Sequence, residues 1–187
     1  MTTLSGTGEL NIAPMGPVVD PAQTEFLLRP FHTSQTYRNL KENPCGVLHV
    51  TDDVLLLARA ALGMPLGEIP TRDARTVRGK ILTDSCRWWE FEVAECDDSR
   101  PRTEIRLRIV DSGSGREFWG FNRAKHAVLE ATILATRLHL LPGEFIQEEL
   151  NRLRIPVEKT AGPDEATAFQ LVEEYIRQHG NQVTQSP

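Results

Sequence analysis

The chain has 187 residues, 40% hydrophobic and 25% charged, with a formal net charge of −5. That length and balance suit one globular domain with a small subdomain, with a core large enough to need no disulfide staple. The acidic balance argues against non-specific nucleic-acid binding, which depends on basic surface.

The chain opens with a short strand, Thr2 to Leu4. A tight turn follows through Gly6 and Gly8, and then a second strand, Leu10 to Met15, stopped by Gly16-Pro17. Glu25 to Arg29 reads as another strand. Thr33 or Ser34 is a good N-cap for a short helix over Thr36 to Lys41, which Asn43-Pro44 stops. Val47 to Val50 is an apolar, β-branched run of strand type, and Asp52 or Asp53 caps a helix from Val54 to Ala61. Met64 to Thr76 shows no clear period and reads as a loop.

Two later strands alternate. Trp89, Phe91 and Val93 interleave with Glu90 and Glu92, and Ile105, Leu107 and Ile109 with Glu104, Arg106 and Arg108. Each is predicted to have one buried and one wet face, with the acidic wet face of one pairing with the basic wet face of the other. From Asn122 the spacing becomes helical. Ala124, Ala127, Val128, Ala131, Leu134, Ala135, Leu138 and Leu141 fall on one stripe until Pro142-Gly143. Glu144 to Leu153 reads as a second helix, and Gly162 to Gly180 holds a third, with Pro163 at its first turn and acids near its positive end. The predicted organisation is residues 1–121 as a β-rich domain, 122–180 as a helical subdomain and 181–187 as a disordered tail. Strands gathered before helices predict an α+β protein with an antiparallel sheet or barrel.

Cys45, Cys86 and Cys96 are odd in number and widely spaced, which favours reduced thiols and a cytoplasmic protein. No apolar run approaches the ~20 residues that span a bilayer, so no membrane partner is expected. Met1 to Ser5 has no signal-peptide character. Walker A, GxGxxG, HExxH and GxSxG patterns are all missing, and the histidines and cysteines show no zinc spacing. No metal site is predicted.

Four motifs carry chemistry. Arg29 precedes Thr33, Ser34 and Thr36 where a helix should begin. Unpaired N–H groups, hydroxyls and a guanidinium fork together suit a phosphate. The same residues also read as an ordinary N-cap beside a surface arginine. Ala13, Pro14, Met15 and Gly16 end a strand where backbone groups and an apolar wall can hold a flat ring, or where a core methionine simply packs. His49 reads as a hydrogen-bonded histidine within the sheet, and Trp88, Trp89, Phe118, Trp119 and Phe121 as packing or stacking groups. The run Asn122-Arg123-Ala124-Lys125-His126 puts basic groups at a helix N-terminus, which suits an anionic ligand or a solvated helix end.

Taken in order, Asn11 to Gly16, Arg29 to Thr36, His49 to Asp53, and Asn122 to His126 with Glu130 and Thr136 to Leu138 resemble one family. They are similar to the FMN-binding split-barrel proteins of unknown function from archaea, methylotrophs and planctomycetes. The resemblance implies an antiparallel six-stranded split β-barrel with a helical C-terminal subdomain, related in fold to flavin reductases and pyridoxamine-phosphate oxidases. It implies a homodimer with FMN near its interface. By the same resemblance Arg29, Thr33, Ser34 and Thr36 would grip the phosphate, Ala13 to Gly16 and Val50 and Thr51 would line the ring system, and Arg123 would reach in from the helical part. The function implied is a flavin-dependent oxidoreductase or flavin reductase-like protein using NAD(P)H or another redox carrier, with no catalytic residue assigned. The alternative on the same scaffold is a non-catalytic flavin- or heme-binding carrier, or a dimeric interaction module.

Overall fold

Proline placement and strand alternation set the frame of the first part of the molecule. The computed structural model describes residues 1–100 and 102–180. The tail expected to be disordered, 181–187, lies outside the described residues. The chain divides into two compact units, one of Met1–Thr51 with Glu68–Phe118, the other of Asp52–Gly67 with the chain from Trp119 onward.

In the first unit, strands β1 (Thr2–Leu4), β2 (Leu10–Ile12), β3 (Val18–Val19) and β4 (Glu25–Leu28) precede helix α1 (Gln35–Glu42) and strand β5 (Cys45–Val50). The second unit contributes helix α2 (Val54–Ala61). Strands β6 (Thr71–Asp73), β7 (Lys80–Leu82), β8 (Arg87–Asp97) and β9 (Glu104–Ser114) then complete the first unit. Seven strands form one antiparallel sheet in the order β2-β1-β5-β8-β9-β4-β3, and β6 pairs with β7 as a separate hairpin. The molecule is α+β, with a large antiparallel sheet and five helices. The expected count of six strands is corrected to seven, because the two-residue β3 adds to the edge beside β4. The loop expected over Met64 to Thr76 is corrected in its last part. Thr71–Asp73 pairs with Lys80–Leu82, in a hairpin too short to leave a period in the sequence.

Alternation on β8 and β9 works as predicted for one face. Phe91, Ile105 and Leu107 are buried with Phe26, Leu28, Leu40, Leu48 and Trp89 in one core cluster. On the other face Arg108 pairs with Glu92, and Arg106 with Glu95. Glu90 departs from the pattern: it is fully buried. Gly113 lies opposite Trp88 on β9, and a Cβ there would fall 2.2 Å from the indole, so the ring occupies the space a side chain would need.

The second unit is built on small residues. Helix α3 (Arg123–Ala135) buries Ala124, Ala127, Val128, Ala131 and Ala135 against α4 (Gly143–Thr160) and α5 (Pro163–Gly180). Helix α3 stops earlier than the apolar stripe, and Thr136 to Leu141 form turns in which the Thr136 hydroxyl donates to Ile133 O. Helix α4 runs past the expected end at Leu153 and includes Pro156, which removes one ladder hydrogen bond while buried Val157 keeps the segment packed. No helix among the described residues is long and apolar enough to cross a membrane.

Candidate functional site

The strand β4 ends at Leu28 because Pro30 has no N–H and restricts the residue before it. Arg29 therefore sits just beyond the ladder. Three residues after Phe31, Ser34 caps α1: its Oγ accepts from Tyr37 N at 3.2 Å and donates to Phe31 O at 2.8 Å. The N–H groups of Gln35 and Thr36 take no protein acceptor among the described residues. The first turn of α1 carries no acid, so its partial positive charge is not offset there. Thr33 is exposed. Arg29 is half-exposed, with Nε 3.4 Å from Glu104 Oε1. Its terminal nitrogens engage no protein acceptor among the described residues. Helix N–H groups, a hydroxyl and a guanidinium fork thus gather within eight residues of chain, a donor set suited to an anion.

A buried polar network ties this corner to the first two strands. Asn11 Nδ2 donates to Thr36 Oγ1 and to Thr3 Oγ1, both at 3.2 Å, and Asn39 Nδ2 donates to Thr3 Oγ1 at 3.0 Å. Gln35 Nε2 closes the chain on Asn39 Oδ1 at 2.6 Å. Buried amides and hydroxyls satisfied in this way fix one arrangement of strand and helix. The Thr36 hydroxyl is consequently buried against Asn11, and Thr36 offers the corner its main-chain N–H. The segment Ala13 to Gly16 continues from β2. Met15 packs against the same apolar cluster as Tyr37 of α1, and a Cβ built at Gly16 would meet no protein atom within 4 Å. Val50 and Thr51 lie at the far end of β5, where Val50 O accepts from Cys86 N. Arg123 is exposed at the first position of α3, in the other unit.

Several residues that local sequence reading did not single out support these elements. Asp98, in the β8–β9 turn, accepts from Tyr37 OH at 3.0 Å, Lys41 Nζ at 2.9 Å, and Thr103 Oγ1. The Thr103 hydroxyl and then the Lys41 ammonium hold its carboxyl well below the usual carboxylate range. His32 Nε2 lies 3.9 Å from the same carboxylate and is a buried polar atom with no hydrogen-bond partner among the described residues, while the imidazole is tilted against the Tyr37 ring. Asp98 thereby anchors α1 to the hairpin tip.

On another part of the first unit, Glu90 receives three main-chain N–H groups, from Arg75 at 2.9 Å, Thr76 at 2.7 Å and Val77 at 3.2 Å. Alternation placed Glu90 on a wet face; the β6–β7 hairpin covers that face and uses the carboxylate as its anchor. His49 has the hydrogen-bonded role expected of it, since Nε2 accepts from Leu82 N at 3.1 Å. Burial pushes its pKa down to about 3, so the ring is neutral. Trp89 is buried against Phe26, Trp88 lies under the Arg72 guanidinium, and Phe118, Trp119 and Phe121 are exposed. In the helical unit, Lys125 donates to Asp52 O and pairs with Glu165 at 2.7 Å, which gives the cationic helix start a partner within the protein.

Residues 1–116 match the model of the N-terminal domain of a protein family of unknown function, DUF447, and residues 122–174 match a second DUF447 model. Among solved structures, an FMN-bound protein of that family from Methanosarcina mazei is 25% identical, with a TM-score of 0.78, covering 94% of this chain and 93% of that one. A nitrilotriacetate monooxygenase component B homologue from Mycobacterium thermoresistibile is 12% identical, with a TM-score of 0.53 over 64% of this chain and 69% of its own. Flavoredoxin of Desulfovibrio vulgaris is 12% identical, with a TM-score of 0.51 over 62% and 67%. These last two show a shared fold alone. No curated protein matches the sequence.

Proposed function

The chain belongs to the DUF447 family of proteins of unknown function, and from that premise we propose that it is an FMN-binding flavoprotein acting in flavin-dependent electron transfer, like a flavin reductase. The observation that supports the reading most is the likeness, over nearly the whole of both chains, to a family member whose structure holds FMN. The local donor set agrees with it. Arg29, the Thr33 hydroxyl and the Gln35 and Thr36 N–H groups suit the terminal phosphate, with Ser34 shaping the turn through Phe31 O and Thr36 held in place by Asn11. In this reading Ala13, Pro14, Met15 and Gly16 line one side of the ring system, Val50 and Thr51 the other, and Arg123 adds a cation from the helical part.

The finer assignments belong to the same proposal. Residues 1–121 form the flavin domain, of split-barrel type, and 122–180 the helical subdomain. Two copies pair as a homodimer, and NAD(P)H or another carrier supplies electrons in the cytoplasm. When bound, FMN supplies the redox chemistry. The chain's own residues bind the phosphate, orient the ring against Met15 and present main-chain donors to it. No side chain is assigned as acid or base.

Colour provides the test. Purified protein titrated with FMN is expected to take up flavin, with quenching of its fluorescence, and to release it on denaturation. Protein that neither carries nor takes up FMN overturns the reading. Bleaching of the bound flavin by NADPH separates a reductase from a passive carrier.

A further inference from the structure

We propose that Glu104 is an internal competitor for the phosphate-binding arginine, so that this protein holds FMN as an exchangeable nucleotide. The inference rests on the reading of Arg29 to Thr36 as the phosphate corner. It begins with register. Leu28 pairs with Ile105 at the end of the β4–β9 ladder, so Arg29 and Glu104 fall opposite each other one step beyond. Arg29 Nε is 3.4 Å from Glu104 Oε1, and Arg100 Nη1 is 3.3 Å from the same oxygen. The Glu104 side chain is 22% exposed, Arg29 51% and Arg100 67%.

Two effects of this carboxylate oppose each other. It holds the guanidinium in place through the contact at Nε, which favours a ligand that meets the group in that position. It also leaves a full negative charge beside the same guanidinium, which disfavours a dianion there. The first effect is small, because an ion pair with an exposed partner contributes little. The second acts whether or not the contact is made, and salt screens it only beyond a Debye length of about 8 Å. Arg100 offsets part of the charge, but it is the most exposed of the three and shares a single oxygen. Repulsion therefore outweighs orientation, and the carboxylate lowers the affinity for the phosphate specifically.

The experiment compares FMN with riboflavin, which lacks the phosphate, on the full chain. In Glu104→Gln, FMN is expected to bind about 3- to 10-fold more tightly, the scale of removing one partly screened charge next to a dianion, with slower FMN release. Riboflavin affinity is expected to stay unchanged. Glu104→Ala is expected to show the same gain, and its thermal midpoint checks that the fold is intact. Unchanged or weaker FMN binding in both variants, with the wild-type preference for FMN over riboflavin intact, overturns the role of Glu104 and leaves the phosphate corner standing. Equal affinity of the wild type for FMN and riboflavin removes the phosphate corner itself, and this inference with it.

Discussion

The loop Arg75–Val77 and the corner Arg29–Thr36 both offer successive main-chain N–H groups, yet they end differently. In the loop, three N–H groups converge on Glu90, a fully buried carboxylate supplied by the neighbouring strand. In the corner, Glu104 lies 3.4 Å from Arg29 Nε, and the N–H groups of Gln35 and Thr36 take no protein acceptor among the described residues. Arg75 marks the same contrast, since its guanidinium is engaged by both oxygens of Asp111. An anion cradle closed from within serves stability, because the buried carboxylate needs donors and the loop supplies three. Donors that the fold leaves uncommitted have no such role and suit a ligand.

The largest effect on stability is expected where the cradle is closed. Glu90→Ala removes the buried acceptor of three part-buried N–H groups and should lower stability by about 2 kcal/mol, since water can reach part of the freed donors. Urea denaturation measures it. A midpoint unchanged from wild type would mean that the hairpin is not held by the carboxylate, and the contrast with the corner would lose its first half. Arg29→Ala tests the second half. FMN binding should weaken by ~1.5–3 kcal/mol, as for a lost charge-assisted hydrogen-bond pair, with little change in stability because the ion pair it breaks is half-exposed. Calorimetric titration that shows unaltered FMN affinity would place the phosphate elsewhere.

His49 sharpens the comparison by pH, because it grips the same hairpin as Glu90 through Leu82 N. Its pKa lies near 3 in the folded protein, against 6.5 for the unperturbed group, with burial as the main cause. As pH falls below 6.5 the unfolded chain takes up a proton that the folded chain refuses. Stability is therefore full above 6.5 and is lost as pH falls toward 3, by up to about 1.4 kcal/mol per pH unit from this group. Denaturation midpoints of His49→Gln should lose that part of the slope between pH 6 and 4. A slope equal to wild type would show that other groups carry it. Glu165 acts lower in the range. Burial would raise its carboxyl, but the Lys125 ammonium and Gly162 N–H outweigh burial and hold it below the ordinary value of 4.5, so its contribution fades only in stronger acid.

These outcomes turn on residues that were unequally visible in the chain. Ser34 as a cap, the limits of α2 and the start of α3 are local patterns, and each stands where its pattern put it, although α3 ends at Ala135, short of the end of its expected stripe. The corner was legible for the same reason, since Arg29 to Thr36 is one short segment. Its supports were not. Asp98 meets Tyr37 across 61 residues, and Glu104 meets Arg29 only through the β4–β9 register. Glu90 was misplaced because alternation reports which face of a strand a residue occupies, not whether a hairpin will cover that face. The helix expected to end at Leu153 continues to Thr160 through Pro156, because Val157 is kept in place by burial, which local sequence does not report.

The smallest expected effects separate the two hydroxyls of the corner. Ser34 Oγ already serves the fold, accepting from Tyr37 N and donating to Phe31 O. Ser34→Ala should therefore lower stability by about 1 kcal/mol, the usual worth of an N-cap, and FMN affinity should follow only as far as α1 frays. The Thr33 hydroxyl is exposed and makes no hydrogen bond among the described residues. Thr33→Val should leave the denaturation midpoint alone and weaken FMN binding by about 0.5–1.5 kcal/mol, one net hydrogen bond. Riboflavin binding should be indifferent to it. If the roles are reversed, with Thr33 costing stability and Ser34 costing affinity, then the cap is the phosphate ligand. The line drawn between donors used by the fold and donors left for a ligand would then fall one residue earlier in the chain.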